Sequence, residues 1–167
     1  MATTNRVVLA LGDDVSTDTI YPGRFMATVL PSETPQYAFA DDADFNARLR
    51  SQQLPEGSVI VGGQNFGCGS SREQAASCLR GPGLIVVARG FARIFLQNAI
   101  NLGLRTIICP ELTASEGDEL ELTAAEVVNR TTGRRFAVVP LPPARQAIVE
   151  AGGLIPYARG LLVAARS

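Results

Sequence analysis

The sequence predicts an α/β domain whose parallel strand-helix core is extended by further strands into a mixed sheet with flanking helices. Short runs rich in Val, Ile and Leu recur at Val7 to Leu11, Val59 to Gly62, Leu84 to Ala88 and Thr106 to Cys109, each bounded by Gly, Pro or Asp. Their length and composition fit buried strands. Helical patterns lie between the runs starting at 59, 84 and 106, and strands joined through helices pair in parallel. Farther on, Glu119 to Leu122 alternates polar and apolar residues. Glu126 to Asn129, Thr131-Thr132-Gly133 and Phe136 to Val139 then read as a hairpin, which adds antiparallel strands.

In chain order, the first strand runs into Gly12-Asp13-Asp14-Val15-Ser16-Thr17-Asp18-Thr19-Ile20, a string that Asx and hydroxyl turns explain. Leu30 to Gln36, with Pro31 and Pro35, is the most loop-like stretch. Helices are expected at Ala38 to Arg50, Ser71 to Leu79, Ala92 to Leu102 and, after two prolines, Ala144 to Ala151. Phe91, Ile94, Phe95, Asn98 and Leu102 recur at spacings of three and four, a stripe that packs one helix face on the sheet. A last apolar helix or strand is expected at Leu161 to Ala165. With no internal repeat or shift of composition, residues 1–167 read as one domain.

Composition narrows the chemistry. Apolar residues make up 46% and charged residues 19%, with a net charge of -1, so no field draws the chain toward nucleic acid or a membrane. All 15 cationic residues are arginines, and histidine is absent. A Ser-His-Asp triad, a Walker lysine and a Schiff-base amine are therefore excluded. Cys68, Cys78 and Cys109 lack the spacing of a zinc or iron-sulfur site and read as free thiols. No metal site is expected in this chain. The N-terminus lacks the pattern of a secretory signal, and no apolar run approaches the roughly 18 residues of a membrane helix. The expected location is the cytoplasm.

The densest chemistry lies in NFGCGSSREQA, residues 65–75. A glycine-rich turn entering a helix offers unpaired N–H groups and partial positive charge to an anion. Arg72 adds a planar donor suited to a carboxylate. Ser70-x-x-Glu73 is equally the spacing of a capping box, which would commit the Ser70 oxygen to the backbone.

Three phrases in order, GDDVSTDTIYPGRF, NFGCGSSREQA and ARGFARIFLQNAINLGL, closely resemble the small subunits of 3-isopropylmalate dehydratases. More broadly they resemble the swivelling domain of the aconitase superfamily. The ending AIVEAGGLIPY is similar to that of the shorter small subunits. The resemblance implies a swivelling β/β/α fold and a two-subunit hydro-lyase whose large subunit carries a 4Fe-4S cluster on three cysteines. That enzyme isomerises a 2-hydroxy di- or tricarboxylate by dehydration and rehydration, here in leucine biosynthesis. It also implies that this chain holds no cofactor of its own, and it leaves open self-association of the isolated chain.

The same resemblance assigns roles. Ser70 becomes the proton-abstracting residue, against its capping-box reading, and Ser71 and Arg72 bind substrate carboxylate. Gly67, Gly69 and Glu73 support that loop, and Thr17 and Asp18 lie beside it. Arg24, Phe25, Met26, Ala27 and Thr28 fall where the family selects substrate, and an apolar Met26-Ala27 pair suits an isopropyl group better than an extra carboxylate. Gln74 stands where many relatives have histidine, which bears on substrate choice; Cys68 reads as a small packing residue. The alternatives are a homoaconitase-type or methylmalate/dimethylmalate-type small subunit and, outside enzymes, a carboxylate- or RNA-binding module. Low aromatic content and near-neutral charge disfavour RNA.

Overall fold

The expected apolar runs become strands in the computed structural model, which describes residues 3–167. They are β1 (Asn5–Ala10), β2 (Val59–Gly62), β3 (Ile85–Ala88), β4 (Thr106–Ile108), β5 (Glu119–Leu122), β6 (Glu126–Asn129) and β7 (Arg135–Ala137). One seven-stranded sheet orders them β4-β3-β2-β1-β5-β6-β7. The β1, β2, β3, β4 half is parallel, with Val59 opposite Ile85 and Val86 opposite Thr106. The β1, β5, β6, β7 half is antiparallel.

Alternation along each strand sorts side chains between two cores. Val7, Val59, Val61, Ile85, Val87 and Ile107 join Leu120, Val127 and Phe136 on one face. Val8, Ile60, Val86 and Ala88 face the helices on the other. The sheet curls until its ends meet, where Val139 N–H donates to the Ile108 carbonyl at 2.8 Å. The first set of side chains is thereby enclosed, and the helices cover the outside of the parallel half.

Helices α1 (Thr17–Ile20), α2 (Ala43–Arg50), α3 (Gln74–Arg80), α4 (Arg93–Leu102), α5 (Pro143–Glu150) and α6 (Leu154–Ala165) connect and flank the strands. Four differ from expectation. The string at 12–20 contains a helical turn, α1, capped by the Ser16 hydroxyl, which accepts from Thr19 N–H. The helix expected from Ala38 starts at Ala43, because Phe39 sits at φ 49° and the Asp42 carboxylate caps Phe45 N–H. The helix expected from Ser71 starts at Gln74. The expected last element, 161–165, is the end of α6, which begins at Leu154 after Gly152 and Gly153. Gly153, at φ 126°, passes so close to α4 that a Cβ would stand 2.6 Å from the Asn101 carbonyl. Of the expected α4 stripe, Phe95 is buried and Phe91, Asn98 and Leu102 are half-buried, whereas Ile94 is 46% exposed and does not pack on the sheet. Among the described residues no single helix is long and apolar enough to cross a membrane.

Candidate functional site

The loops leaving the carboxyl ends of β1, β2 and β3 are stitched together, the usual place for a ligand on a parallel sheet. Asp14 N–H donates to Gln64 O, Gly67 N–H to Val15 O and Thr17 N–H to Cys68 O, at 2.9, 2.7 and 2.7 Å. From the other side, Phe66 N–H donates to Gly90 O at 3.0 Å and Ala92 N–H to Phe66 O at 2.9 Å. Phe66 anchors this elbow, fully buried with its ring edge-on to Phe91 and Phe95.

Two glycines shape the elbow. Gly67 lies at φ 85°, and a Cβ there would stand 2.2 Å from Phe95 Cγ. Gly69 lies at φ 104°, against the Thr17 hydroxyl. Both are in the region open to glycine at little steric cost.

The elbow delivers Ser70 and Ser71 exposed to solvent. Ser70 N–H donates to Thr17 Oγ1 at 3.1 Å, and the two hydroxyl oxygens are 3.2 Å apart. Thr17 is buried, at 2% exposure. The capping box does not form: Glu73 is the N-cap residue of α3 and makes no side-chain cap, while the Ser70 amide is taken by a residue 53 positions upstream. The N–H groups of Ser71, Arg72, Glu73 and Gln74 donate to no protein acceptor among the described residues, leaving a cluster of orphan donors at the head of α3. Asn98 on α4 holds the Ser71 carbonyl at 3.2 Å.

Arg72 lies beneath the serines with its side chain 13% exposed. Its Nη1 donates to Asp18 Oδ1 and to the Tyr21 carbonyl, both at 2.9 Å. Its Nε is buried without a partner. The Arg72 hydrogen bond, seconded by Gly23 N–H at 2.8 Å, holds the Asp18 carboxyl below the usual carboxylate range. Thr17 thus contacts Ser70, and Asp18 contacts Arg72.

Of the residues expected to select substrate, Arg24 pairs with Asp41 at 2.6 Å and lies 4.6 Å over the Phe25 ring, which stacks on Tyr37. Met26 is 48% exposed, Ala27 is exposed and Thr28 is half-buried. Gln74 at the start of α3 donates to the Met26 carbonyl at 3.3 Å, so this turn adjoins the serine elbow. Sequence reasoning missed Tyr21 and Asp41 and counted Asn98 only as part of an apolar stripe. A polar residue inside that stripe was the available signal for Asn98.

Among the described residues, no three His, Cys, Asp or Glu side chains converge to hold a metal. Cys78 and Cys109 are buried, which pushes both thiols up, Cys109 to about 11, so neither offers a thiolate at neutral pH. The donor set among the described residues does not fit an iron-sulfur cluster.

The aconitase C-terminal domain family matches residues 23–112. The small subunit of 3-isopropylmalate dehydratase from Methanosarcina mazei is 42% identical over 156 residues, covering 90% of this chain and 93% of that one. The isopropylmalate/citramalate isomerase small subunit of Methanocaldococcus jannaschii is 44% identical over 156 residues, covering 90% of each. A crystal structure of 3-isopropylmalate dehydratase (LeuD) from Methanocaldococcus jannaschii superposes with a TM-score of 0.86 at 36% identity, over 100% of both chains. The family match, the identity over nine-tenths of the chain and the full-length superposition agree: the chain belongs to the family of 3-isopropylmalate dehydratase small subunits, built on the aconitase C-terminal domain.

Proposed function

We propose that this chain is the small subunit of a heteromeric hydro-lyase that interconverts 2-isopropylmalate and 3-isopropylmalate in leucine biosynthesis. Residues 1–167 act as one swivelling unit in the cytoplasm, against a large subunit that brings the 4Fe-4S cluster. The names of the relatives support the reaction and the existence of a partner. The cluster when bound supplies Lewis-acid chemistry at the substrate hydroxyl.

One observation carries the assignment within this chain: Ser70 is exposed at the elbow tip, 3.2 Å from the buried Thr17 hydroxyl and two residues from the half-buried Arg72 guanidinium. A serine hydroxyl is a very weak acid in water, so its use as a base depends on donors that favour the alkoxide. Thr17 can be one, because an ionised Ser70 has no hydroxyl proton and the Thr17 O–H is then the donor along that contact. The orphan N–H groups of Ser71 and Arg72 supply fixed positive ends nearby. Ser70 Oγ takes the proton from the carbon beside the hydroxyl-bearing one as the C–OH bond breaks and a C=C bond forms. In rehydration Ser70 returns that proton to one carbon while the hydroxide released in the first step adds at the neighbouring one. Ser71 and Arg72 hold substrate carboxylate; Gly67 and Gly69 keep the elbow in place, and Glu73 supports the head of α3 only through its backbone carbonyl, which accepts from Ala76 and Ser77 N–H.

In the complex co-expressed with its large subunit, Ser70→Ala is expected to lower kcat by several orders of magnitude with KM little changed. Near-normal turnover by that variant would remove Ser70 from the role of base.

A further inference from the structure

We infer that Tyr21 is a specificity-positioning residue: its buried phenol, together with the Gln74 amide, fixes the turn that presents Met26 and Ala27 to the alkyl group of the substrate. The inference rests on the reading above and identifies what sets the selectivity of that site. Tyr21 is fully buried, and its single hydroxyl proton is shared between the carbonyls of Phe25 at 3.1 Å and Thr28 at 3.2 Å. Those two acceptors bracket Met26 and Ala27. A third tie, from Gln74 Nε2, reaches the Met26 carbonyl between them. Three carbonyls of a four-residue segment are thus drawn toward the protein, while Met26 and Ala27 remain exposed.

The ring is fixed as firmly as its hydroxyl. Tyr21 meets Tyr37 edge-on, and Tyr37 stacks on Phe25 at 4.1 Å. Burial raises the Tyr21 phenol above its usual range, so it stays protonated and remains a donor through the physiological range. A phenylalanine would fill nearly the same volume. The distinctive contribution of tyrosine here is the pair of carbonyls at the two ends of one exposed dipeptide.

Once the phenol is lost, the turn is free to open, and the contact between Met26-Ala27 and a branched alkyl group loosens. A methyl group reaches less far and depends less on that contact. Discrimination of one methylene in an apolar pocket is worth roughly 10–200-fold.

The test uses the co-expressed complex, with kcat/KM measured for 3-isopropylmalate and for citramalate. Tyr21→Phe is expected to lower the ratio of the two about tenfold, mainly by raising KM for 3-isopropylmalate. Gln74→Leu, which cuts the central tie, is expected to move the ratio the same way and decides the question if Tyr21→Phe does not assemble. A ratio within about twofold of wild type for the assembled variants, or a parallel fall on both substrates, would overturn the inference. A wild-type complex inactive on both compounds would instead overturn the hydro-lyase reading and take this inference with it.

Discussion

Replacing Gly67 by alanine tests the elbow most directly. The residue sits at φ 85°, and the added Cβ would stand 2.2 Å from Phe95 Cγ, 2.4 Å from its Cβ and 2.7 Å from Cδ2. Phe95 has little room to yield, since its ring is packed between Phe66 and Phe91 at centroid distances of 5.4 and 6.1 Å. The left-handed backbone costs about 1–2 kcal/mol and overpacking a filled core about 1–3 kcal/mol. Together they give roughly 2–5 kcal/mol, a large part of the stability of an ordinary domain. Gly133→Ala is the matched control, because Gly133 lies at φ 79° with nothing within 4 Å of the added Cβ. It is expected to lose the backbone part alone, about 1–2 kcal/mol. Urea unfolding of the two variants, compared at equal m values, isolates the Phe95 contact. Equal losses for Gly67→Ala and Gly133→Ala would refute the claim that the elbow is seated on Phe95.

Two further perturbations address the chemistry. Thr17→Val keeps the volume of the buried side chain and deletes the hydroxyl facing Ser70; kcat of the complex is expected to fall about 10²-fold, the usual loss for one such donor, and an unchanged kcat would exclude Thr17 from stabilising the serine. Asp18 has a folded-state pKa below its ordinary value of 3.8, so its contribution to stability is present above that value and is lost as pH falls through the lower folded value. The melting-temperature difference between wild type and Asp18→Asn should therefore be constant near neutrality and vanish in strong acid. A difference that grew on acidification would contradict the Arg72 pairing.

Short β-branched runs made the parallel half of the sheet legible, since Val59 to Gly62 and Leu84 to Ala88 are apolar on both faces and the structure buries both faces. Helix starts were less legible, because local signals competed with distant partners. Ser70-x-x-Glu73 has the spacing of a cap, yet Thr17, brought in by the loop after β1, takes the Ser70 amide and the helix begins at Gln74. At Phe39 a bulky residue adopts a left-handed conformation that propensity argues against, and its amide bonds to the Ile20 carbonyl across 19 residues. In the site, the motifs singled out the elbow, Thr17 and Asp18. Tyr21 was invisible because an aromatic residue beside Ile20 reads as core, and only the fold shows its hydroxyl reaching across to Phe25 and Thr28.

The meeting of β4 with the segment after β7 bears on how this polypeptide survives alone. A subunit made for a partner spends time unaccompanied, and exposed sheet margins are where unaccompanied chains stick to their own copies. Here Val139 occupies the outer rim of β4 through the Ile108 carbonyl, and the Cys109 thiol reaches Ala137 O at 3.4 Å beside it. A stray strand finds the Ile108 position already bonded, which shortens the edge open to self-pairing where the barrel-like wall closes.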